Sequence, residues 1–169
     1  MASNRTVRYV DFGITSARQF WDENVVHAYE KFQAQSNRAN AICASFHAWH
    51  VHEWIWHEHR PGEDTRQNID YKSFQTSCVN DCPELAWIRD VADAGKHRGL
   101  GRPAEVRRVA SEIQLVGYAH GTRPHGVDPH GVGGIVTNPL SITLTDGSAH
   151  DFAEVLSRVM DYWRDNHFP

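Results

Sequence analysis

An α+β fold, a bundle of about four helices with a small antiparallel sheet, is predicted by three features of the sequence. Aromatic and aliphatic residues recur at helical spacing in three stretches before residue 100 and again at the C-terminus. Between the last two of these stretches lie short β-branched runs separated by glycine and proline. No glycine-rich string opens a helix after a strand; the nearest, Gly95 to Gly101, follows a helix, which argues against a nucleotide-binding α/β sheet.

The chain of 169 residues suits a single domain, 1–169, with its own core. Its 40% hydrophobic and 22% charged content belongs to a globular protein and not to a disordered one. A formal net charge of −4 excludes a surface built throughout for nucleic acid, while leaving room for a local basic patch. No apolar run approaches the ~18 residues needed to cross a bilayer, so no membrane span is expected. The polar start MASNRTVRYVDFG has no apolar signal core, and 3 cysteines do not make a disulfide framework. A cytoplasmic location is the expectation.

Residues 5–14 alternate weakly, as an extended arm or strand would. Ser16 with Gln19 forms a capping-box start for a helix in which Phe20, Trp21, Val25, Ala28, Tyr29 and Phe32 recur up to about Gln35. After a break at 37–40, the stretch NAICASFHAWHVHEWIWHEH predicts a second helix, apolar almost all round and hence central and buried, stopped by Arg60-Pro61-Gly62. Residues 63–82 are polar and poorly periodic and read as a connection or a short irregular helix. Asp81 with Glu84, and Pro83 between them, predict the start of a third helix that ends at Gly99-Leu100-Gly101. Residues 106–118, 135–137 and 140–144 read as strands, and Asp146-Gly147 as a turn. Ser148 is the expected cap of a last helix with Phe152, Val155, Leu156, Val159, Met160 and Trp163 on one face.

The chemistry concentrates on the second and third helices. Cys43, Phe46, His47, His50, Glu53, Trp54 and His57 share one stripe of the second helix, and Asp90, Asp93 and His97 share one of the third. If the stripes face each other, imidazoles meet carboxylates. A cation binds tightly only where several lone pairs converge, and imidazole with carboxylate suits zinc, iron or manganese. His47, His50, His57, Asp93 and His97 are therefore candidate ligands of a transition-metal ion. Glu53, Asp90 and His97 are the candidate general bases or acids. The competing reading of the same residues is an Asp93–His97 surface pair and histidines that bridge a tryptophan-rich core.

Arg102, Arg107 and Arg108, beside Gly99 and Gly101, are candidate contacts for a phosphate-bearing small molecule or for RNA. The competing reading is a solvated basic end of a helix. The loop from His120 to Gly134, with His125 and His130, is a candidate lid or ligand donor. A homodimer is a further partner left open.

In the strings AICASFHAWHVHEWIWHE, RDVADAGKHRGL and LTDGSAHDFAEVLSRVMDYWRDN, the chain resembles a loose group of small bacterial proteins of unassigned function. They share a histidine- and tryptophan-bearing helix, a helix ending in Lys-His after an aspartate, and a closing hairpin with a tryptophan helix. The Lys-His end also resembles the all-helical HEPN nucleases, although Arg89 precedes His97 by a wider interval than their motif. The HEPN resemblance implies a metal-independent ribonuclease or RNA-binding toxin, with His97 moving the proton and Arg89, Arg102 and Arg107 holding phosphate. The residues themselves point first to a metal-binding protein, with a small-molecule enzyme as its catalytic form. A non-catalytic interaction module is the remaining alternative.

Overall fold

A computed structural model describes residues 13–96, 110–115 and 140–169. The arm at 5–12, His97, Arg102, Arg107, Arg108, the loop with His120, His125 and His130, and the strand expected at 135–137 lie outside the described residues.

The first helix, α1, is one rod in three parts: Ala17–Phe20 as α-helix, Trp21–Val26 as π-helix and His27–Ala34 as α-helix again. Ser16 Oγ accepts from the Gln19 amide at 3.0 Å, as expected, but the Gln19 side chain reaches back to the Thr15 amide rather than to Ser16. The π segment advances fewer degrees per residue than an α-helix, so neighbouring positions share a side more closely. Trp21 and Val25 are buried there, beside buried Phe20.

Helix α2, Arg38–His59, starts on Asn37, whose Oδ1 accepts from the Asn40 amide at 2.9 Å. The buried Asn40 amide then donates to the Gln35 carbonyl at 2.8 Å, locking the short link back to α1. Ala41, Ala44 and Ala48 line the buried side of α2, and their small side chains let neighbouring backbones come close. That approach is used at Ala48, whose carbonyl accepts from Trp163 Nε1 at 2.9 Å in the centre of the molecule.

The segment that reads as a connection holds a full helix, α3, Ile69–Asp81, capped by Asn68. Its periodicity is weak because it buries little beyond Tyr71 and Cys78, and Ile69 at its start is exposed. Helix α4, Glu84–Lys96, follows almost at once. Asp81 is the last residue of α3 and not the cap of α4; the amides of Leu85 and Ala86 bond instead to the carbonyls of Cys82 and Pro83. Leu85, Ile88, Val91 and Ala92 form the buried face of α4.

The described residues also form three antiparallel strands: β1 Ala110–Leu115, β2 Leu140–Leu144 and β3 Ala149–Asp151, in that order across the sheet. Ile113 pairs with Ile142, and Ile142 with His150. Leu140, Ile142 and Leu144 are buried and alternate with half-buried Ser141 and Thr143, the period of a sheet with one face on the core. Gly147 takes φ 87° in the β2–β3 turn, a conformation open to glycine without strain. Helix α5, Phe152–His167, begins three residues later than Ser148 suggests. Ser148 is engaged in the turn by Asp146, and Asp151 caps the helix, accepting from the amides of Ala153 and Glu154. All six apolar residues expected on its inner face are buried. None of the described helices is long and apolar enough to cross a membrane.

Candidate functional site

The imidazole stripe of α2 is not in the interior. Cys43 is exposed, and Phe46, His47, His50, Glu53, Trp54 and His57 are half-buried along the outer side of the helix. The reason lies in the opposite face: three alanines, Trp49, Val51, Ile55 and Trp56 are the better core, so that side turned inward. Helix α1 covers one flank of the stripe. Phe20 stacks on Trp54 with ring centroids 4.7 Å apart and lies 5.9 Å from His47, and the Ala17 amide donates to Glu58 Oε2 at 2.9 Å.

Helix α4 does pack against α2, but through other residues. A Cβ on Gly95 would sit 2.2 Å from Ile42 Cγ2, and the Arg89 guanidinium lies 5.8 Å from the centre of the Trp49 ring. On the wheel, Ile42 and Trp49 are about a quarter-turn away from the middle of the stripe. Asp90 is only 6% exposed and accepts from Arg89 at 3.0 and 3.1 Å, while Asp93 is half-buried. Among the described residues no group of three or more His, Cys, Asp and Glu side chains converges as a metal centre.

The members of the stripe do interact in pairs. His50 Nδ1 is 2.7 Å from the Phe46 carbonyl, so Nδ1 donates its proton to that oxygen. His47 Nδ1 is buried without a hydrogen-bond partner among the described residues. Burial lowers the His47 pKa, and the neighbouring His50 lowers it further, so His47 is neutral at pH 7. One turn on, His57 Nε2 lies 3.9 Å from Glu53 Oε1.

The histidine that organises the interior is one the stripe excludes. His52 is 2% exposed; its Nδ1 bonds to the Trp49 carbonyl, and its Nε2 accepts from the Tyr71 hydroxyl at 3.0 Å and from the Gln75 amide at 2.7 Å. Burial pulls its pKa down to about 4, and burial with Glu53 nearby pushes the Tyr71 hydroxyl up, so both stay neutral donors and acceptors. The sequence holds a signal for this: His52 falls between Ala48 and Trp56, at i−4 and i+4, on the apolar side of the helix.

Fold and site together define a helix-rich α+β protein that carries a half-buried band of imidazole and aromatic side chains on the longest of its described helices. No family model, curated protein or solved structure matches the chain.

Proposed function

We propose that the protein binds a transition-metal ion, zinc, iron or manganese, on the imidazole face of α2, nucleated by His47 and His50. The observation that carries this reading is the bond from His50 Nδ1 to the Phe46 carbonyl. Metal-bound histidines are oriented in this way, with one ring N–H on a carbonyl. His47 lies one turn away at i−3 and is neutral, as a ligand must be. A helix rises ~1.5 Å per residue, so His47 and His57 are ~15 Å apart along the axis and one ion cannot take both. The His47–His50 pair is the first chelate, and water would fill the remaining positions of its shell. His57 with Glu53 forms a separate pair. In an enzyme built on this centre, Glu53, one turn from His50, would be the general base.

Calorimetric titration with zinc, and cobalt absorption as a geometric probe, test the reading. About one equivalent should bind, and ion present at ~100 times its dissociation constant should stabilise the fold by ~2.7 kcal/mol. The double variant His47→Ala/His50→Ala should lose both effects. Unchanged binding in that variant, or no binding by the parent protein, refutes it. The nuclease reading draws less support: Arg89 is engaged with Asp90 and packs over Trp49, and its other residues lie outside the described ones.

A further inference from the structure

A cleft of about 300 Å³ opens where α1 ends and α5 begins, and it shares no residue with the imidazole face. Its volume sits at the lower end of the ~300–1,000 Å³ typical of small-molecule sites. The floor is apolar: Phe32 and Leu140 are buried, and Phe32 is fixed by an edge-on contact with Phe152 at 5.3 Å. The rim is polar, with the Tyr29 phenol, the Gln33 amide, the Ser36 hydroxyl and the Asp151 carboxylate. Among the described residues, the side chains of Tyr29, Gln33 and Ser36 make no intramolecular hydrogen bond. Asp151 spends Oδ1 on the Ala153 and Glu154 amides, at 2.8 and 3.2 Å, and its second oxygen takes no part in that cap.

Among the described residues, the lining contains a carboxylate and no lysine, arginine or histidine. The α1 peptide dipoles end at Ala34, between Gln33 and Ser36, and so present their negative pole there. The positive pole at the start of α5 is already answered by Asp151 Oδ1. An anion would be repelled by this carboxylate, whereas a cation would pair with its second oxygen.

We infer that the cleft binds a small organic ammonium ion carrying a short methylene chain. The ammonium N–H groups donate to Asp151, to the Ser36 hydroxyl and to the Gln33 carbonyl oxygen, beside the Tyr29 ring, where an aromatic adds attraction for a cation. The methylenes lie on Phe32 and Leu140.

The test is calorimetric titration of the full chain with n-butylammonium, against butan-1-ol and butyrate as neutral and anionic analogues of similar size. Butylammonium should bind saturably, and the other two at least ~10-fold more weakly, since a hydrogen bond to a charged group is worth about that factor. Asp151→Asn is the decisive variant, because asparagine caps a helix as well as aspartate and only the charge is lost. It should melt with the parent protein yet bind butylammonium at least ~10-fold more weakly. Should Asp151→Asn lower the melting temperature, the surface pair Gln33→Leu/Ser36→Ala takes its place and must weaken binding in the same way. Equal binding of butan-1-ol, unaltered affinity in these variants, or no saturable binding of butylammonium overturns the inference.

Discussion

The Tyr71 hydroxyl donates to Nε2 of His52 at 3.0 Å and so ties α3 to the buried side of α2. Gln75 donates to the same nitrogen from one turn further along α3, and Trp56 packs edge-on against Tyr71. This polar bridge adds to the burial of Tyr71 and Cys78 in holding a weakly amphipathic segment against α2.

Removing the bridge should destabilise the fold strongly. His52→Ala strands two donors and leaves a cavity, for an expected loss of ~3 kcal/mol or more, whereas Tyr71→Phe removes one bond and should cost ~1 kcal/mol. Urea unfolding of both variants measures the two costs. A smaller loss for His52→Ala than for Tyr71→Phe would show that the stability resides elsewhere.

Stability should fall with acid in a window set by His52. Its folded pKa of about 4 lies below the ordinary 6.5, because burial outweighs the hydrogen bond to Trp49 and His50 pushes the same way. Between those values the unfolded chain binds the extra proton. The contribution is therefore complete above about pH 6.5 and is lost as pH drops toward 4, to the order of 3 kcal/mol. His47 and His167 are lowered as well, chiefly by burial, and act in the same direction. Melting temperatures measured from neutral pH downward should show this slope, and His52→Gln, which cannot titrate, should flatten it. An equally steep slope in that variant would remove His52 from the account.

Gly95→Ala sets two effects against each other. In the last turn of α4 alanine gains less than the ~1 kcal/mol it has over glycine in a helix interior, and its Cβ would clash with Ile42 Cγ2, on a stiff β-branched side chain. The clash should win, with a net loss of ~1–3 kcal/mol, and adding Ile42→Ala should recover part of it. Thermal melts of the single and double variants decide. A stabilised Gly95→Ala would mean that α4 moves off α2 freely.

The three thiols should divide by burial. Cys43 is exposed, while Cys78 and Cys82 are buried; burial pushes both of their pKa values up, that of Cys82 to about 11. Iodoacetamide at mildly alkaline pH should alkylate Cys43 first and reach the other two only on unfolding, as peptide mass spectrometry would record. Early labelling of Cys82 would contradict the packing at the α3–α4 junction.

What was legible in the sequence was whatever local pattern controls. The six inner residues of α5 were readable because one helix face alternates cleanly with polar residues, and Gly147 because a hairpin turn needs a residue free to take positive φ. The α+β class followed from these same periodicities. Helix α3 escaped because its core contribution is carried by Tyr71 and Cys78 with little periodic support, and the start of α5 because Ser148 and Asp151 are both good caps. Only the presence of β3 between them selects Asp151.

Which histidine points inward was a tertiary decision. A helix apolar on nearly every side can turn any of several faces to the core, and the wheel of α2 alone ranks them poorly. The alanine face won because it admits Trp163 to the Ala48 carbonyl, so His52 was carried inside with it and His47, His50 and His57 were left at the outer edge. Composition and spacing determined that this chain has a histidine-rich helix within an α+β bundle. Only close packing of one face against its neighbours decided where those imidazoles meet water.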